Sequence, residues 1–211
     1  MRRAILWRKR ECLRRRTKTS CLGVKSKGQV DIVVSMFLFF IVLIVVLFGF
    51  RMMQYMIISS EVEDALAASN LASAIVDLEE YGKTHNIRIP DERAAFGKYR
   101  EALVFNLQLD SNLNTTRKEF FGSPISIIQY IVYNVDGETV EMVVMNGNGQ
   151  LQRKEKGRRG TIFTPNGVKV ETTGIYSRIG YEAEGLMGQQ IWAEKEKYVD
   201  ITRYNSEKGK E

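Results

Sequence analysis

Few side chains in this 211-residue chain have the chemistry to make or break bonds. The single histidine, His85, stands in a polar loop, which leaves a Ser/His/Asp set without a credible base. Cys12 and Cys21 are nine residues apart and far from His85, so no metal-ligand spacing arises. Gly147 and Gly149 belong to an Asn-Gly repeat that reads as a hairpin turn, without the helix a phosphate loop requires. Glu182 and Glu184 alternate with small or aromatic residues, the solvent side of a strand. The chain is therefore expected to be non-enzymatic, with no cofactor and no metal. The bond most open to chemistry is its own. Lys27-Gly28-Gln29 separates a basic segment from an apolar one, and a membrane peptidase on the cytoplasmic side could cut after Gly28. Gly28 also reads as a flexible break before a helix. Asp31 follows at once, and its carboxylate needs a cationic partner or a place at headgroup level.

These residues are placed by the apolar run Ile32 to Phe50, nineteen positions without a charge and interrupted only by Ser35 and Gly49. At about 1.5 Å per residue such a helix is roughly 28 Å long, close to the hydrocarbon thickness of a bilayer. It is apolar all round, and the rest of the chain has too little hydrophobic sequence to bury it, so it reads as a membrane span. Its length argues against the shorter apolar core of a cleaved signal peptide, although Ala65-Leu66-Ala67 has the small-x-small pattern.

Charge orients the span. Residues 1–28 hold eleven Lys/Arg against Glu11 alone, a net +10, whereas residues 29–211 hold 20 basic and 24 acidic side chains, a net −4. Basic segments beside a span stay in the cytoplasm, so the remainder is expected outside. Both cysteines fall in the cytoplasmic part, so no disulfide is expected in the exported part. The basic tract reads as a topology signal, and no nucleic-acid partner is expected.

A basic leader ending in Gly28, a polar Gln29, an acid at Asp31 and about twenty apolar residues resemble the prepilin junction. Within that superfamily the chain is most similar to the minor pseudopilins of tight-adherence pili (TadE-like), over residues 25 to 60. The resemblance implies leader removal between Gly28 and Gln29 by a prepilin peptidase. It also implies lateral assembly of the helix with pilin-like subunits and filament machinery. Prepilins carry Glu at the fifth residue after the cut. Here that position is Val33, and Asp31, at the third, is the candidate assembly carboxylate.

Beyond the span no proline precedes Pro90, so the helix is expected to continue to Tyr81. Ala68, Leu71, Ile75 and Leu78 mark its apolar face, to be covered by the chain's own sheet. The small residues between 65 and 74 read either as helix formers or as a surface for close helix packing. A second helix is expected from Asp91 to Leu107, then a loop over Asp110 to Thr116. From Pro124 the period becomes two. Ile125–Val135 reads as an interior strand, Asp136-Gly137 as a type I′ turn, and Thr139–Met145 as the return. Asn146–Gly149 and Pro165-Asn166-Gly167 read as turns and Lys154–Gly160 as a loop. Val168–Glu171, the stretch around Tyr176 to Tyr181, and Tyr198–Tyr204 read as further strands of an antiparallel meander.

The expected fold is α+β, a membrane helix that becomes amphipathic, followed by a small antiparallel sheet. Its parts are a cytoplasmic leader (1–28), a transmembrane helix (29–58), an extracytoplasmic helical region (59–123), a sheet domain (124–204) and a charged tail (205–211). Two functions fit. One is a pilin-like subunit of a single-pass cell-membrane protein, drawn into a filament. The other is a bitopic accessory protein of a secretion, conjugation or envelope complex that keeps its leader and binds partners through its sheet. The basic cluster Arg153, Lys154, Lys156, Arg158 and Arg159 reads as a contact patch for an acidic partner or as a solvated turn.

Overall fold

A computed structural model of the chain describes residues 25–116, 121–184 and 189–201. The charged tail 205–211 and residues 1–24 of the leader, with Cys12 and Cys21, lie outside the described residues. The chain divides into two compact units, Met1–Met52 and Met53–Glu211.

In the first unit the described structure is helical. Helix α1, Lys25–Ala72, begins there, and Ile32 to Phe50 is apolar on every face. This is one helix long and apolar enough to cross a membrane. Leu, Ile, Val, Phe and Met have nothing polar to solvate, and a helix satisfies its backbone internally, the condition for entering hydrocarbon.

The second unit is an α+β fold. The last turns of α1 are followed by α2 (Leu78–Thr84) and α3 (Glu92–Asn106), then strands β1 (Ser126–Asp136), β2 (Thr139–Met145), β3 (Leu151–Arg158), β4 (Gly174–Glu184) and β5 (Gln190–Asp200). All pairings are antiparallel, in the order β3-β2-β1-β4-β5. This corrects the expected simple meander, because the segment after β3 crosses back and sets β4 beside β1. Side-chain polarity gives the reason. β4 buries Ile175, Tyr176, Ile179 and Tyr181 and needs an interior place, whereas β3 is charged on both faces and suits an edge. Lys154 to Arg158 are thus strand rather than the expected loop. The crossing segment brings Ile162 and Val170 onto the sheet face formed by Ile131, Tyr133 and Tyr176. Val168–Glu171 forms no strand of its own, only a bridge between Phe163 and Lys169. The last strand begins at Gln190, well before the expected Tyr198.

Two further expectations are corrected. The helix does not reach Tyr81, because α1 ends at Ala72 and α2 restarts at Leu78 behind Asp77. Asp77 Oδ1 accepts from the backbone N–H of Glu79 and Glu80, both at 2.9 Å, a side-chain cap that favours a fresh start. The buried face of α1 is not Ala68, Leu71, Ile75 and Leu78, which are exposed. It is Val62, Ala65, Leu66, Ser69 and Asn70, with Ser73 just beyond. Asn70 and Ser73 meet the Lys197 carbonyl and the Tyr130 hydroxyl of the sheet, so this face outcompetes the more apolar one.

The turn after β1 also differs in type. Asp136 pairs with Thr139, leaving Gly137 and Glu138 as the central residues. Only Gly137 has positive φ (57°), so the two positive φ values of a type I′ turn are absent and glycine stands first, as in type II′. The helix expected from Asp91 is present as α3, with Asp91 as its cap, accepting from Ala94 N at 2.9 Å, and Ala95, Phe96, Tyr99 and Leu103 point into the core.

Candidate functional site

The junction lies inside α1. The helix starts at Lys25, so Gly28 and Gln29 have helical backbone and Gly28 makes no break. Glycine in a helix interior is worse than alanine by about 1 kcal/mol, which lowers the cost of unwinding the bond that a peptidase would cut. Asp31 is exposed and shares a helix face with Ile32, Ser35, Met36 and Phe39. Toward the span, that face carries one hydroxyl, Ser35, a turn on from Asp31, and otherwise apolar side chains.

From Ile32 to Phe50 the large apolar side chains are 41–69% exposed, on all sides of the helix. Leaving them in water would cost roughly 1.5–3 kcal/mol for each large side chain, so this surface requires lipid or other helices.

In the second unit, α1 meets the sheet through a polar seam. Asn70 Nδ2 donates to the Lys197 carbonyl at 2.9 Å, and the Tyr130 hydroxyl donates to Ser73 Oγ at 3.0 Å. Ser73 Oγ donates in turn to the Asn70 carbonyl at 2.8 Å. Tyr99 stacks at a tilt on Tyr130, ring centres 5.0 Å apart. Burial pushes the phenols of Tyr99 and Tyr130 well above the ordinary tyrosine range, so both are neutral. Lys197 reaches Glu63 at 2.7 Å, and that ion pair holds Glu63 below its usual range. Sequence reasoning missed this seam, because Ser69, Asn70 and Ser73 carry no signal beyond the small residues around them. On another side of α1, Ile57, Ser60, Asp64 and Ala68 line an open groove of about 540 Å³, bounded by Asn106 of α3.

The basic cluster changes character in three dimensions. Lys154 lies 3.3 Å from Glu92 and 3.4 Å from Glu141, and Lys156 lies 3.7 Å from Glu141. Arg153 meets Glu155 at 3.1 Å and Arg158 meets Glu138 at 3.6 Å. Each of these four cations lies against an acid, Lys154 and Lys156 sharing Glu141, so the strand is a laced edge rather than a naked positive patch.

His85 ends α2 in the left-handed conformation (φ 57°), its N–H on the Tyr81 carbonyl at 2.8 Å and its ring edge-on to Tyr81. It meets no nucleophile there. Gly147 and Gly149 lie in the β2–β3 turn, where Asn146 Oδ1 accepts from Asn148 N and Gln150 N. Glu182 is half-buried opposite Trp192. No group of three His, Cys, Asp or Glu side chains able to hold a metal ion occurs among the described residues. No protein-family model matches the chain, and no curated protein or solved structure matches it.

Proposed function

We propose that the chain is a non-enzymatic, membrane-anchored pilin-like (pseudopilin) subunit, inserted with its N-terminus in the cytoplasm and its sheet displayed outside. The observation that carries this reading is the order of charge and apolarity around Gly28. A +10 leader ends at Lys27-Gly28, and Gln29, Val30 and Asp31 lead into nineteen uncharged residues of the same helix, whose large apolar side chains are exposed on every face. A prepilin peptidase cutting after Gly28 removes the basic segment, and with it the charges that hold the helix at the cytoplasmic face. The freed helix then leaves lipid for lateral packing among like helices. Asp31, three residues from the new N-terminus, supplies the carboxylate that an amine on a neighbouring subunit would neutralise.

The test is the mass and N-terminal sequence of protein extracted from membranes. A mature chain beginning at Gln29 is expected, and Gly28→Trp should leave the leader attached and abolish recovery in a sheared surface fraction. A chain still beginning at Met1, with unchanged behaviour of Gly28→Trp, overturns the reading in favour of a bitopic accessory protein.

A further inference from the structure

The loop over residues 108–116, which follows α3, is closed mainly by its own atoms. Leu109 bridges Thr115, and the Asp110 N–H donates to the Asn114 carbonyl at 2.8 Å. Asp110 Oδ1 accepts from the backbone N–H of Asn112 and of Asn114, both at 2.8 Å. Leu113 takes the left-handed conformation (φ 63°) to complete the turn, and its side chain packs on the core. Thr116 Oγ1 donates to the Gln108 carbonyl at 2.7 Å. The longer reaches are from Arg100 to the Ser111 carbonyl and from the Ile125 N–H to the Leu113 carbonyl. A segment held mostly by such local bonds opens without unpairing the sheet.

Of the ten asparagines in the chain, Asn114 alone has Ser or Thr two residues on, in Asn114-Thr115-Thr116. That spacing is the acceptor pattern of N-linked glycosylation, which calls for a surface loop. The structure meets the demand. Asp110, Ser111, Asn112 and Thr116 are exposed, and Asn114 and Thr115 are half-buried. The Asn114 amide nitrogen carries two hydrogens, one of which goes to Asp110 Oδ2 at 2.8 Å in an exposed hydrogen bond. A glycosylated amide keeps one N–H, so this bond survives modification and the other hydrogen is the one replaced. The backbone N–H and carbonyl of Asn114 close the loop and are untouched by a substituent on Nδ2.

We propose that Asn114 is an N-glycosylation site, taking an oligosaccharide from a polyprenyl phosphate or diphosphate carrier through a membrane transferase that acts outside the cytoplasm. In the transfer, the bond from sugar C1 to the carrier's phosphate oxygen breaks, and a bond from C1 to Asn114 Nδ2 forms. The displaced amide proton goes to a base of the transferase, and the carrier leaves as its phosphate anion. Thr116 is the recognition residue, its hydroxyl released from the Gln108 carbonyl when the loop opens. This inference rests on the part of the proposed function that places the second unit outside the cytoplasm, and not on cleavage after Gly28.

The test is mass spectrometry of the full chain extracted from the membranes of its native cells. Trypsin releases Glu101–Arg117, which contains Asn114 and no other Asn-x-Ser/Thr pattern. That fragment should be heavier by a whole number of sugar residues, with fragmentation placing the sugar on Asn114. Asn114→Gln and Thr116→Ala should each lose the added mass, whereas Thr116→Ser should keep it. A wild-type fragment of unmodified mass, or an added mass that survives Thr116→Ala, sinks the proposal. The intact mass also reports the leader, which separates the two readings. An unmodified chain beginning at Gln29 overturns only the glycosylation, and a glycosylated chain beginning at Met1 overturns only the cleavage.

Discussion

The Tyr130 hydroxyl, at the centre of the sheet, donates to Ser73 Oγ just past the end of α1 at 3.0 Å, with both residues fully buried. Tyr130→Phe should destabilise the second unit by about 1–2 kcal/mol, since Ser73 keeps its own donation to the Asn70 carbonyl. For a unit of this size that is a fall in Tm of about 2–8 °C. A cycle with Ser73→Ala should give a coupling of roughly 0.5–1.5 kcal/mol, measured by thermal melts. Additive effects would mean that the contact contributes nothing.

Asn134 clamps the loop before α3. Its Oδ1 accepts from Ile89 N at 2.9 Å, and its Nδ2 donates to the Ile89 carbonyl at 3.0 Å, with both residues buried. Asn134→Leu strands two backbone groups and should cost roughly 2–4 kcal/mol in denaturant titrations. Asn134→Asp sets a carboxylate against the Ile89 carbonyl. That variant should be less stable at neutral pH than at pH about 4, where a protonated acid can donate again.

Six of the nine tyrosines, Tyr99, Tyr130, Tyr133, Tyr176, Tyr181 and Tyr198, are shifted upward, mainly by burial, with Tyr181 and Tyr198 pushed up to about 12. A raised pKa in the folded state means that the unfolded chain loses these protons first. Stability should then be unaffected below pH 10 and fall as pH rises through 10 toward 12. Followed by phenolate absorbance, ionisation of these six should coincide with loss of the sheet's circular-dichroism signal rather than precede it.

Glu141 holds three cations together, Arg88 at 3.6 Å, Lys154 at 3.4 Å and Lys156 at 3.7 Å, and is itself only 13% exposed. Glu141→Gln leaves their mutual repulsion unopposed, for a loss of about 1 kcal/mol at low salt. Added salt should restore much of that loss in the variant, because the cations are partly exposed and screening acts on them. The readout is the difference in Tm between low and high ionic strength.

Much of the organisation is legible from residues in order. Ile32 to Phe50 is uniform enough that a helix apolar on all faces follows from composition alone, and the structure has that helix. The helix that follows Asp91 and the strands Ile125–Val135 and Thr139–Met145 likewise follow from local chemistry. The outer part of α1 is where local pattern misleads. Ala68, Leu71, Ile75 and Leu78 form a good apolar stripe by spacing, yet the structure turns Ser69, Asn70 and Ser73 inward instead. Hydrophobic periodicity cannot see that Tyr130 and the Lys197 carbonyl, far away in sequence, supply hydrogen bonds that make a polar face worth burying. Strand order was hidden for the same reason, since pairing partners are non-local.

The linear chain by itself determined the apolar helix, the charge asymmetry on either side of it and the α+β layout, because these rest on the transfer of each side chain between water and an apolar medium. Only the tertiary structure decided which helix face is covered, where β4 inserts, and that four of the five cations of the basic cluster lie against Glu92, Glu138, Glu141 and Glu155. Those outcomes depend on distances between residues remote in sequence, which no local pattern encodes.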